Sequence, residues 1–297
     1  MKKKTISRRE FIKTGVTGLA AGSLALAWPK KLGAQALNKT RVVLIRDKDV
    51  LGETGAVRAE AVQKMLDQAV KSLLGEKDAA AAWKKLIKAD DVVGIKTNAW
   101  RSLPTPPPLE EAIRLGVLSA GVKAENIGIG DHGVLDDPIF AKATALINVR
   151  PMRVHDWSGL GTCIKNYIMF VPDPPKYHPD SCADLAAIWQ LPVVKGKTRL
   201  NILAMFTPLF HSVGPKSFNP AYVWKYNGMI VGLDPVAVDA TGARIIQAKR
   251  REFFGLDRPI NPPPKHIELA DSRYHLGAAD PQKIELIKIG WQDGILI

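Results

Sequence analysis

The chain has 297 residues, with 42 Lys and Arg against 29 Asp and Glu, for a formal net charge of +13. Eight of the basic residues and one acidic residue fall in the first 36 positions, so the rest carries 34 minus 28, or +6. That charge mildly favours anionic ligands, and the absence of a basic stripe interleaved with aromatics argues against a nucleic-acid partner.

Residues 1–36 read as an export signal. Six Lys and Arg residues lie within positions 1–13, centred on Ser7-Arg8-Arg9-Glu10-Phe11-Ile12-Lys13, which resembles the consensus of twin-arginine signal peptides. An uncharged Gly- and Ala-rich run follows over 14–27. It is shorter than the ~20 apolar residues that a membrane-spanning helix needs. Ala34-Gln35-Ala36 supplies a small-x-small cleavage site, placing the cut after Ala36. The expected partner is therefore the twin-arginine translocation machinery, and the expected location is periplasmic, with no membrane span in the mature protein. Residues 37–297 then form one predicted α/β domain.

In chain order, residues 41–46 (RVVLIR) read as a strand. Val62, Met65, Leu66, Ala69, Val70 and Leu73 recur at helical spacing, and Gly75 ends that helix. Asp78 can cap a second helix over 79–88. Residues 91–97 (DVVGIKT) are a strand. A proline-rich turn at 104–108 leads into a helix over 109–120, and 126–130 is a strand. The alternation of strand and helix predicts a mostly parallel sheet flanked by helices. The middle, 158–220, is rich in Pro, Gly and polar residues; it predicts an irregular, loop-rich segment with one strand near 200–206. Residues 228–233 form a strand, Asp234 and Pro235 open a helix over 236–248, and 283–289 alternates as a late strand.

The chemistry concentrates at strand ends. Lys96 and Asn98 end one strand, and Asp131 and His132 end another. Ligands in open α/β sheets bind beyond the carboxyl ends of the strands. A lysine inside VVGIKTN needs a partner, because burying an ammonium is costly. It reads either as a Lys96–Asp131 ion pair tying strand ends or as part of an anion site. Asp234 is explained by helix capping, whereas Asp239 must find a partner if it is buried. The G-x-G-x-x-G match at 128–133 lies in a strand with no helix directly after it, and Gly196-Lys197-Thr198 lacks the first glycine of a phosphate loop. The six histidines form no H-x-x-x-H pair, so a metal site would need distant segments, such as His132, His178 and His211 with Asp131. Whether a metal binds stays open. Cys163 and Cys182 could form a disulfide in an oxidising space or remain two buried thiols. Two cysteines cannot supply the four thiolates of an ordinary iron–sulfur cluster, and there is no C-x-x-C-H haem site. Neither group is expected, and the cofactor is otherwise unknown.

Several stretches occur together in a telling order: residues 91–98 (DVVGIKTN), 127–131 (IGIGD), Lys165-Asn166, Lys176-Tyr177-His178, Gly214-Pro215 and 234–240 (DPVAVDA). In that order they resemble the family called domain of unknown function 362, over about residues 42–249. The resemblance implies an α/β fold and, in exported members, a twin-arginine signal. Some relatives carry ferredoxin-like iron–sulfur segments, which this chain lacks. It adds Lys165, Asn166 and His178 to the expected site.

Two functions follow. In one, an enzyme acts on a small anionic metabolite: Lys96, Asn98, Lys165, Asn166 and His178 hold the ligand, and Asp131 or His132 moves a proton. In the other, a non-catalytic module binds a ligand or serves an exported redox complex.

Overall fold

The computed structural model describes residues 39–212 and 217–297. The predicted signal at 1–36 and the Gly214-Pro215 pair lie outside the described residues. Strand β1 (Thr40–Arg46) alternates between two cores: Val42 and Leu44 enter one, Val43 and Ile45 the other. This two-sided burial marks a strand in the interior of a covered sheet. Helices α1 (Ala59–Leu74), α2 (Ala79–Leu86) and α3 (Pro107–Ser119) cover the Val43 side. The buried positions of α1 are those that the periodicity predicts, and Gly75 ends it in the left-handed conformation (φ 69°). Asp78 caps α2 by accepting from the Ala81 N–H at 2.7 Å.

Among the described residues the sheet has eight strands. Strands β2 (Val93–Lys96) and β3 (Ile127–Gly130) pair in parallel, and β2 pairs in parallel with β4 (Ala145–His155). Strand β5 (Gly159–Gly161) folds back on β4, and β6 (Thr198–Leu209) runs parallel to β4 on its other side. Strand β7 (Gly228–Gly232) then runs antiparallel to both β6 and β1, and β8 (Ile284–Gly290) closes the order in parallel with β1. The mixed, mostly parallel α/β sheet agrees with the sequence, although β1 pairs with the last two strands rather than with β2.

The opposite face is covered by α4 (Pro138–Lys142), α5 (Cys163–Asn166), α6 (Pro235–Phe254) and α7 (Lys265–Ser272), together with the middle segment. That segment consists largely of short helical turns between residues 167 and 190, held by buried aromatics: Tyr167 stacks on Trp189 with ring centroids 4.4 Å apart. No described helix is long and apolar enough to cross a membrane. Asp234 caps α6 by accepting from Val236 and Ala237, as predicted. Because β7 is antiparallel, however, Asp234 stands at the edge where β6 begins, beside Asn201, and not beside the ends of β2 and β3.

Gly116 on α3 faces the fully buried Trp83 of α2, and a Cβ there would lie 2.1 Å from the indole. Gly116→Ala should therefore overpack this contact and destabilise the fold by about 1–3 kcal/mol. Urea unfolding would show it as a lower midpoint at unchanged slope; an unchanged midpoint would mean that the α2–α3 contact yields freely.

Candidate functional site

The parallel register places Lys96 opposite Gly130, so the residues just past each strand meet. Lys96 is fully buried. Its Nζ donates to Asp131 Oδ1 at 2.5 Å and to the Thr97 carbonyl at 2.8 Å. Asp131 Oδ2 accepts from the Ala99 N–H at 2.7 Å. Burial alone would raise the Asp131 carboxyl, but the Lys96 charge and these hydrogen bonds outweigh it and hold the group below its ordinary value. Burial pulls Lys96 down to about 8 against the attraction of Asp131. Both groups are thus ionised at neutral pH. His132 is exposed, with Nε2 3.5 Å from Asp131 Oδ2.

Strand β4 runs past the end of β2 and carries Arg150, Arg153 and His155 into the space beyond Asp131. Residues three apart on a regular strand face opposite sides. Here the β4–β6 register shifts between Pro151 and Arg153, and both arginines reach one cavity; bulges re-aim side chains in this way. Arg153 donates to Asn98 Oδ1 at 2.9 Å and lies over the Trp100 ring, 4.5 Å from its centroid. Arg150 is 3% exposed and, among the described residues, makes no hydrogen bond or ion pair; its Nε is buried without an acceptor. Burial pulls it down to about 10, well above neutrality, so it stays charged. Gly161 on β5 leaves room for it, since a Cβ there would come within 2.7 Å of Arg150 Nη2.

Helix α5 adds the third element. It has no side-chain cap of its own. Instead Asp239, from α6, accepts from the Cys163 and Ile164 N–H groups at 2.9 and 2.8 Å. The buried Asp239 thus finds the partner its position requires. Its turn presents Lys165 and Asn166. Asn166 Nδ2 donates among the Lys96 carbonyl, Asn148 Oδ1 and the Val149 carbonyl, at 2.9–3.1 Å. Asn148 in turn donates to Asn201 Oδ1 and the Cys163 carbonyl. A row of buried amides therefore ties α5 to β2, β4 and β6. Lys165 Nζ lies 3.6 Å from Cys182 Sγ and has no carboxylate within ion-pair distance among the described residues. Burial and then the Arg150 charge drive it down to about 8, with Cys182 and Asp156 opposing. His155 is pushed far below its usual value by burial and by Lys165, Arg150, Arg153 and His178, so it is neutral. His178 stacks on Trp157 at 4.1 Å and is lowered by burial and by Lys165.

These groups line one cavity of about 280 Å³, walled also by Trp100, Trp157, Ile168, Met169 and Pro174. Of the residues singled out from sequence, Asn98, Asp131, His132, Lys165, Asn166 and His178 all line it. Lys96 lies behind Asp131 rather than on the cavity surface. Arg150, Arg153 and His155 were not foreseen. They sit on β4, whose Pro151 and two arginines hide a strand in sequence. His211 is elsewhere: it bonds Arg250 and packs edge-on against Tyr222 and Phe254, so it does not join His132 and His178. Among the described residues, no cluster of three or more His, Cys, Asp or Glu side chains is arranged to hold a metal. Cys163 and Cys182 are separate buried thiols.

Residues 133–244 match the family described as Domain of unknown function (DUF362). The family resemblance seen in the sequence holds over this stretch, which is narrower than 42–249 and contains Arg150, Arg153, Lys165, Asn166 and His178. Lys96, Asn98, Asp131 and His132 precede it. Comparisons with curated proteins and with solved structures gave no match.

The Asp239 cap has a pH signature. Burial raises this carboxyl from 3.8 to about 7. Its contribution to stability is complete below 3.8 and is lost as pH rises through 7. His266, fully buried and pushed from 6.5 to about 3 by burial and then by Lys165 and Arg150, acts oppositely: its contribution is complete above 6.5 and is lost as pH falls towards 3. His155, also pushed far below its ordinary value, acts in the same direction as His266. The Asp239 effect is therefore read as a difference: relative to Asp239→Asn, the parent protein should lose stability as pH rises from 3.8 to about 7. Melting profiles of the two proteins that stay parallel over that range would rule Asp239 out as the source.

Proposed function

We propose that this chain is an exported α/β enzyme, carried by the twin-arginine machinery to the periplasm, that acts on a small anion in the strand-end cavity. One observation carries the reading: Arg150 is a charged guanidinium buried on the cavity wall with no hydrogen bond or ion pair among the described residues, attracted by Asp131 and Asp239 only at longer range. An unpaired buried charge is strongly destabilising, and a ligand anion would supply the missing counter-charge. Arg150 and Arg153 offer planar forks suited to a carboxylate or a phosphoryl group. Lys165 adds a third cation on a different wall. Asn98, already fixed by Arg153, and Asn166 orient the ligand. Asp131, ionised and held by Lys96 and Ala99, keeps the strand ends in place and accepts from a ligand hydroxyl or ammonium. His132 and His178 are the groups placed to move a proton. Trp100 and Trp157 add apolar wall to the cavity beside these charges.

The reading predicts opposite effects on stability and binding. Arg150→Met should raise the melting temperature of the ligand-free protein, because it removes an unpaired charge and keeps much of the stem volume. Melting curves of the parent protein should rise with at least one of phosphate, sulfate or malonate; a ligand at 100 times its Kd adds about 2.7 kcal/mol. The variant should show no such rise. If none of the three anions shifts the parent protein, the anion site does not exist. Export is tested separately. Replacing Arg8 and Arg9 with Lys should leave the precursor in the cytoplasm, and normal appearance of that variant in the periplasmic fraction would refute the route.

A further inference from the structure

Resting on the anion site, we infer that Lys165 is a nucleophile and that the cavity takes a small 2-oxo acid or aldehyde acid, held by its carboxylate on Arg150 and Arg153 and joined through its carbonyl carbon to Lys165 Nζ. Three placements carry this. Lys165 is 3% exposed and lines the same cavity as the two arginines. Its bond among the described residues is to a thiol, Cys182, at 3.6 Å, and not to a carboxylate that would fix it as an ammonium. Its position is set by Asp239 holding the α5 turn and by Asn166 anchoring the next residue to two strands. A desolvated lysine beside another cation is the arrangement that frees an amine lone pair. Its downward shift to about 8 accords with that geometry.

The step balances without an oxidant. The neutral Nζ adds to the carbonyl carbon, and the carbonyl oxygen takes up a proton to give a carbinolamine. The nitrogen gives up its remaining excess proton, the hydroxyl leaves with a proton as water, and a carbon–nitrogen double bond forms. His178, which lies close enough to feel the Lys165 charge, carries the proton between nitrogen and leaving oxygen. The arginines hold the carboxylate so that the reacting carbon meets the amine, and the positive field around it stabilises the electron-rich addition product.

Glyoxylate with borohydride tests this on the full chain near neutral pH. Glyoxylate carries both the carboxylate and the carbonyl and fits a cavity of this size. Peptide mass mapping should find the reduced adduct on Lys165 at least about ten-fold ahead of exposed lysines such as Lys195, since a lowered pKa leaves far more neutral amine. Formaldehyde under the same conditions, lacking the carboxylate, should lose that preference. Arg150→Met should lose it with glyoxylate while its exposed lysines react as before. Adduct on Lys165 no more abundant than on exposed lysines overturns the inference. If phosphate, sulfate or malonate still raises the melting temperature in that case, the anion site stands and the covalent step alone fails.

Discussion

The site depends on one amide. Asn166 lies on a helix of a single turn, too short to be stable alone. Its side chain spends its hydrogens on the Lys96 carbonyl, Asn148 Oδ1 and the Val149 carbonyl, groups at the ends or in the middle of two neighbouring strands. Through Asn148 and Asn201 the same row reaches the Leu233 carbonyl beyond β7. Buried amides of this kind are costly unless every one is satisfied, and for that reason they select a single arrangement. The arrangement selected sets Lys165 on one wall and leaves Arg150 and Arg153 on another. Asp239 supports it from behind, standing in for the cap that α5 does not carry.

The charges follow from the same constraint. Lys96 and Asp131 satisfy each other and lie at the floor, so they contribute shape and fixed polarity more than free charge. Arg153 is partly spent on Asn98 and Trp100. Arg150 and Lys165 remain, both desolvated and without a carboxylate at ion-pair distance among the described residues. Desolvation lowers the proton affinity of each, but the consequences differ. Guanidinium begins far above neutrality and stays charged, whereas the amine comes close to releasing its proton. One environment thus leaves the arginine charged and brings the lysine close to losing its proton.

The sequence revealed what repeats with a period. The buried face of α1, the Asp78 and Asp234 caps and the strands around Val43 and Ile95 follow from spacing alone. The polar ends of β2 and β3 also lead to Asn98 and Asp131, because parallel strands deliver their termini to one edge. Strand β4 stayed hidden. Its ALINVRPMRVH mixes a proline and two arginines into an apolar run, and those residue types ordinarily mark a surface or a break. Only the register shift, the hairpin with β5 and the Gly161 gap allow them to be interior. The pairing of β1 was equally illegible: nothing local in RVVLIR distinguishes a neighbour close in sequence from one at the far end. Lys165 and Asn166 came from the family likeness, and His211 was grouped with the wrong histidines because spacing carries no information across a long irregular segment.

That pairing has a consequence for how the chain acquires its structure. Strand β1 lies between β7 and β8, so the first of the described strands to be made is flanked only by the last two. During synthesis it has no sheet to join, and its apolar edges stay unpaired until the C-terminal portion emerges. Contacts of this sequence separation are slow to form, and strand edges left open invite association with other chains. The cavity-forming strands β2, β3, β4 and β6 are contiguous in the sheet and can assemble earlier. Loss of the last fifteen residues would then leave the cavity strands nearly untouched and strip β1 of a neighbour, making C-terminal truncation a defect of solubility before it is a defect of the site.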